Sequence, residues 1–412
     1  MNAKSRSAIV AQAIREQARA AAGRLENGSA TLLQEESGTI FLVPVTVGGQ
    51  QFDVVLDTGS SDPWLITPNF TCVDIYTNTP INESYCYFGP PYSQEKSSTY
   101  HPLPNENMNV SYSDGEFLTG SMGYETFTMG GITVPKQEFG LINYAGWLGD
   151  GVSSGLIGFA YSTITSAYNG TNATADVRGD TIKYNPLFTN MWESNTTAPI
   201  FALALDRTPP SGGLLSLGGL PSIPHSPIYI TTPIQSVGVY ANSHIPVYEY
   251  YTIVADGFAL SNDSGVIFGP VNTTSPRKTP LYEAGDVIVD SGTSLLYAPN
   301  NVANAFAAAF DPPATLDDST GLLNVACTGT PPIFGVSVGG KVFYVNPVDL
   351  IIEEDVDQCI SGVQPSNGGL TILGDVWMKN VVVVHDIAAE VMGFMAREFL
   401  NLTASPVVAP GY

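Results

Sequence analysis

The chain has 412 residues, of which 44% are hydrophobic and only 13% charged, and its formal net charge is −23. That length holds two domains or one large bilobal unit around a sizeable core. So acidic a chain lacks the basic patches that phosphate contacts need, which excludes nucleic acid as a partner, and no apolar run has the length of a membrane span.

Lys4, Arg6, Arg15, Arg19 and Arg24 against Glu16 give residues 1–24 a net charge of +4, leaving −27 on the remainder. A basic head on an acidic body implies mutual attraction. Residues 9–24 read as an Ala- and Arg-rich helix, and 27–38 as a Gly/Ser-containing loop. The opening residues hold no apolar core of signal-peptide length, so the sequence is expected to begin downstream of its true start or after a trimmed signal. From Ile40 onward short apolar, alternating runs are broken by Gly, Pro and Asn, the pattern of a mainly-β protein. Two helices interrupt it. One follows Asn185 as cap with Pro186 at the first helical position, and the other follows Asn300 or Asn301.

The informative feature is an internal duplication. VVLDTGSSDPWLITP (54–68) has a counterpart in VIVDSGTSLLYAPN (287–300). Each half also holds a later apolar-apolar-Gly segment, GLIGFA (155–160) and TILGDV (371–376). Two related lobes are expected, with a boundary after LLSLGGLP (214–221). An acid at the end of an apolar strand is expensive to desolvate. Asp57 and Asp290 resolve that cost if a pseudo-twofold axis brings them together. Like charges that close cannot both ionise, so the pair holds one proton. Such a pair can deprotonate a water while protonating a carbonyl oxygen. Gly59 and Gly292 allow tight turns. Ser60 and Thr293 can hydrogen-bond the outer carboxylate oxygens.

Cys72, Cys86, Cys327 and Cys359 form two local groups without C-x-x-C spacing. Two disulfides and an oxidising compartment are the expectation. N-x-S/T sequons at Asn27, Asn69, Asn82, Asn109, Asn169, Asn172, Asn195, Asn262, Asn272 and Asn401 agree with secretion.

These residues resemble the pepsin-like aspartic proteases, specifically secreted fungal members, from about Thr39 to Glu398. DTGSSDPW and DSGTS look like the two active-site motifs of that family, and VSYSDGEFLTGSMGYETFTMGG (110–131) looks like its flap hairpin. The resemblance implies a mainly-β, bilobal fold with a cleft between lobes, and an acid endopeptidase without cofactor or metal. It implies catalytic Asp57 and Asp290, supported by Thr58, Gly59, Ser60, Ser291, Gly292 and Thr293. Tyr112, Ser113 and Asp114 would close over substrate, with Trp64 bracing Tyr112. Val55 and Leu156, with Trp147 beside them, would line the pocket before the cut. Cys72–Cys86 and Cys327–Cys359 match two family disulfides; the third common one is absent. Asp62-Pro63 replaces the more usual Asn-Leu, Ser113 a frequent glycine, and Ser291 the commoner Thr.

The expected organisation is a basic propeptide remnant (1–30), an N-terminal lobe (37–221), a C-terminal lobe (222–400) and a tail (401–412). Expected partners are polypeptide substrates and the chain's own propeptide. The molecule is expected to be a monomer, secreted or vacuolar, without a membrane anchor. Glycan candidates are Asn69, Asn82, Asn169, Asn172, Asn195, Asn262, Asn272 and Asn401. Large apolar residues, and lysine through Asp114, are the expected preference before the cut. The rival reading is an inactive homologue acting as a binding module. His101, His225, His244 and His385 show no triad or metal spacing and are expected to be satisfied or solvated. Trp192 is expected in the core, and the acidic run 353–357 in a solvated loop.

Overall fold

In the computed structural model, residues 28–35, 38–177, 179–207, 211–239, 245–261, 281–282 and 285–397 are described. The sequence 1–27, the tail 401–412, Asn27, Asn262, Asn272, Asn401 and His244 lie outside them.

The first described element corrects an expectation. Ser29–Glu35, read as loop, is strand β1, hydrogen-bonded on both sides: to β2 (Ile40–Val47) and to Ser211–Leu217. Its alternating burial puts Ala30 and Leu32 in the core. Gly48 and Gly49 hold φ of 55° and 79°, as a two-residue hairpin requires. They lead β2 into β3 (Gln50–Asp57), where Phe52, Val54 and Leu56 are buried. After β4 (Pro63–Cys72) come the long hairpin strands β5 (His101–Ser111) and β6 (Phe117–Met129), then β7 (Ile132–Gly146) and β8 (Gly155–Gly158).

Strands repeat one arrangement in both halves. β3 runs parallel to β8, with Asp57 opposite Gly158, and β4 pairs antiparallel with β8. In the second half, Gly285–Val289 runs parallel to Ile372–Leu373, and Leu296–Ala298 pairs antiparallel with it. Each acid therefore ends a strand that pairs with the apolar-apolar-Gly segment of its own half.

The halves are also joined through one sheet. Ile200–Leu205 lies between Ser211–Leu217 and Val381–Asp386, which continues to Val391–Ala396 and Ile230–Pro233. Phe201, Leu203, Tyr251, Val381 and Val383 belong to a single buried cluster beneath it.

The first helix begins one residue later than expected and the second begins earlier. Pro186, not Asn185, is the cap of Leu187–Glu193, and Asn185 instead donates to Asn190 and Glu193. Pro299 caps Asn300–Ala309, whose Val302, Ala303, Phe306 and Ala307 face the core. Trp192 is half-buried against the main core cluster. His385 corrects the histidine expectation. It is fully buried, stacked on Phe201 at 4.1 Å, and neither ring nitrogen has a hydrogen-bond partner.

Candidate active site

Asp57 and Asp290 are buried, 5% and 8% exposed, at the ends of their matching strands. Each main chain is tied to its apolar-Gly partner: Phe159 N donates to Asp57 O (2.8 Å) and Asp290 N to Leu373 O (3.1 Å). The glycines bring the two turns against one another. A Cβ on Gly59 would stand 2.5 Å from Asp290 Oδ2, and one on Gly292 would overlap the Asp57 carboxylate. Gly59 N donates to Asp57 Oδ1 (2.7 Å), and Gly292 N to Asp290 Oδ1 (2.8 Å). Ser60 Oγ donates to Asp57 Oδ2, and Thr293 Oγ1 to Asp290 Oδ2 (2.6 Å).

A reciprocal clasp lies beneath. Thr58 N donates to Ser291 Oγ (3.2 Å) and Ser291 N to Thr58 Oγ1 (3.0 Å). The hydroxyls then donate across the axis, Ser291 Oγ to Leu56 O (2.7 Å) and Thr58 Oγ1 to Val289 O (3.3 Å). Four bonds between residues more than 230 positions apart fix the carboxylates relative to each other. Burial first, and the Asp290 charge second, push the Asp57 carboxyl well above the ordinary carboxylate range, while Ser60 and Gly59 oppose the shift.

The β5–β6 hairpin places Tyr112 half-buried and Ser113 and Asp114 exposed. Tyr112 N donates to Glu116 O (2.8 Å), and Asp114 Oδ1 accepts from Glu116 N (2.9 Å), so one Asp114 oxygen serves the turn. Trp64 Nε1 donates to Tyr112 Oη (2.8 Å). Trp147 packs edge-on against both rings, at 5.1 Å from Trp64 and 5.7 Å from Tyr112. Val55 lies opposite Leu156 in the β3–β8 register, and both pack with this aromatic group.

Three acids near the site were missed from sequence. Asp62, 1% exposed, accepts from Ser166 N (2.9 Å) and Tyr184 Oη (2.5 Å), and burial raises its carboxyl. Asp375, also 1% exposed, follows Gly374. Burial raises its carboxyl, Lys379 opposes, and the charges of Asp290 and Asp57 add to the rise. Glu116 accepts from Leu148 N (2.6 Å), and burial with the Asp114 charge pushes it up to about 8. Asp375 carried a signal like the one that marked Asp57, a lone acid within an apolar run, whereas Asp62 follows Ser60 and Ser61 and did not.

Disulfides join Cys72 to Cys86 and Cys327 to Cys359. Among the described residues, no cluster of three or more His, Cys, Asp or Glu could hold a metal, and no helix is long and apolar enough to cross a membrane.

Residues 41–397 match the family model described as eukaryotic aspartyl protease. A probable aspartic-type endopeptidase of Aspergillus fumigatus is 37% identical over 90% of this chain and 82% of its own length. Rhizopuspepsin of Rhizopus chinensis is 28% identical over 83% of this chain and 74% of its own. The crystal structure of an aspartic proteinase from Irpex lacteus superimposes with a TM-score of 0.64 at 19% identity, covering 92% of this chain and 99% of that one.

Proposed function

The chain belongs to the eukaryotic aspartyl protease family and is an aspartic-type endopeptidase acting on polypeptides, and on that premise we propose that Asp57 and Asp290 perform the hydrolysis as a pair sharing one proton. A water between the carboxylates loses a proton to the ionised one as its oxygen attacks the scissile carbonyl carbon. The protonated partner gives its proton to the carbonyl oxygen, forming a neutral tetrahedral diol. Proton transfer to the amide nitrogen then lets the C–N bond break, and the pair returns to one proton. The observation that carries this reading is the reciprocal Thr58–Ser291 clasp, which holds two buried carboxyls in mirrored hydrogen-bond settings.

The extended substrate adds a strand in the cleft beneath the flap. Tyr112, Ser113 and Asp114 cover it. Val55, Leu156 and Trp147 accept a large apolar side chain before the cut, and the second oxygen of Asp114 pairs with a lysine there. Residues 37–221 and 222–400 act as the two lobes of a monomer. The basic residues 1–30 inhibit by charge until acid neutralises the body. Because β1 is held on both edges, the maturation cut falls before the strand begins at Ser29, and the last two residues of that basic segment stay in the sheet. The disulfides suit secretion or a vacuole.

The test is the pH dependence of kcat/KM on denatured haemoglobin. Activity is expected to peak in acid and fall as the shared proton is lost; a maximum above about pH 6 contradicts the mechanism.

A further inference from the structure

Several sequons lie among the described residues, and the fold does not treat them alike. The amide of Asn109 is occupied, donating to Ala173 O (3.1 Å) and Asp176 Oδ2 (3.0 Å). Asn82 and Asn172 cap short turns at the surface, each accepting from the hydroxyl of its own sequon, Ser84 and Thr174, at 2.8 Å. Neither lines the cavity beside Asn69.

Asn69 is different. Between Ile66 and Thr71 the β4–β7 register shifts, and the chain bulges outward. Asn69 sits on that bulge at φ 60°, a left-handed conformation that asparagine tolerates better than most residues. The bulge forms one wall of an open cavity of about 370 Å³, within the roughly 300–1,000 Å³ range of small-ligand sites. Tyr92, Ser93, Gln94 and Glu95 line it from the segment before β5, and Ser121, Leu141 and Asn143 from β6 and β7. Its polar liners are exposed or half-buried, while Tyr92 and Leu141 are buried. Its accessible side chains are mostly amides, hydroxyls and a carboxylate, which suit a polar ligand carrying hydroxyl and N-acetyl groups. They suit an apolar peptide side chain poorly. This groove belongs to β4, β6 and β7 and the segment before β5, and none of the proposed catalytic or flap residues lines it.

We propose that Asn69 carries an N-linked glycan whose first N-acetylglucosamine units lie in this groove. The proposal rests on the reading that the chain passes through the secretory pathway. The donor is an oligosaccharide on a lipid diphosphate. The Asn69 Nδ2–C1 bond forms as the C1–O bond to the diphosphate breaks. Nδ2 gives up one proton, and the lipid diphosphate leaves with the bonding pair. After folding, the sugar is tethered at the groove's lip, so its effective concentration is in the millimolar range and weak contacts suffice to hold it.

The full chain, secreted from a eukaryotic host, is treated with peptide N-glycosidase in native and denatured form, and release is followed site by site by mass spectrometry. Asn69 is expected to be occupied and, in the native protein, released about tenfold more slowly than Asn82 or Asn172, with denaturation removing the difference. Thr71→Ala abolishes the sequon while keeping Asn69 in its turn. It is expected to raise hydrogen exchange over residues 92–95 and leave cleavage of short peptides unchanged. Native release from Asn69 at the rate seen for Asn82 overturns the docked glycan. An empty Asn69 beside occupied Asn82 or Asn172 overturns the site itself. A chain with no sugar at any sequon overturns both the site and the secretory reading.

Discussion

Replacing His385 with Phe should stabilise the fold in acid and do so progressively as pH falls. The imidazole is fully buried, stacked on Phe201 (4.1 Å, 7°) and edge-on to Tyr251 (4.5 Å), with both nitrogens unpartnered. Burial pushes it from 6.5 down to about 3. Below pH 6.5 the unfolded chain therefore binds a proton that the folded chain refuses. Stability falls by ~1.4 kcal/mol per pH unit through that window, and the loss is complete only below about pH 3. The deficit is about 0.8 kcal/mol at pH 6 and about 3.3 kcal/mol at pH 4, a difference of ~2.5 kcal/mol. Phenylalanine keeps the ring stack and has nothing to protonate. Urea unfolding of both proteins, followed by tryptophan fluorescence at pH 6 and pH 4, should show the variant's advantage growing by that amount. Activity should be unchanged, since His385 lies in the joining sheet. An advantage equal at the two pH values would mean that the ring is partnered or hydrated, and the reasoning would fail.

Glu125 should behave with the opposite sign. Burial raises its carboxyl, but Ser97, Thr99, Tyr92 (2.7 Å) and Thr126 N (2.6 Å) donate to it and hold it below the ordinary value. Its contribution is present above about pH 4.5 and lost as pH falls through the lowered value. Glu125→Gln should thus cost ~1–3 kcal/mol at pH 6 and less near pH 3, by the same unfolding measurement. Gly292→Ala should cut kcat on the order of a hundredfold or more, read in peptide cleavage with circular dichroism unchanged, because its Cβ displaces the Asp57 carboxylate. Asp114→Ala should lower kcat/KM about tenfold more for a Lys substrate than for a Leu one, from the loss of one charged hydrogen bond; equal losses would leave Asp114 only its bond to Glu116 N.

The two Asp-containing turns could be read from sequence because each is contiguous and the chain writes it twice. The pairing of Cys72 with Cys86 and of Cys327 with Cys359 was accessible for a similar reason, as each pair spans 14 or 32 residues. Other features depend on distant partners. The segment 29–35 looks like loop in isolation and becomes strand because β2 and Ser211–Leu217 flank it. Asp62 finds Ser166 and Tyr184 more than 100 positions away. The continuous apolar run in VVVVHD marks a strand, but not that the His385 ring is covered by both Phe201 and Tyr251. The helix starts slipped in opposite directions: Pro186 serves as cap where the first-turn preference of proline places it one residue further in, and Pro299 takes the cap position that an asparagine was expected to fill, so Asn300 is already helical.

The central claim, that two aspartates act as one unit, is tested most directly by kcat for Asp57→Asn and Asp290→Asn measured separately on folded protein. Each substitution is isosteric and leaves the Gly59, Ser60, Gly292 and Thr293 donors in place. Both variants are expected to lose about 10²–10⁴-fold or more in kcat, the scale of general acid–base catalysis, with unfolding curves close to that of the unsubstituted protein. If either folded variant kept more than a few per cent of the activity, one carboxyl would suffice and the shared-proton account would be wrong.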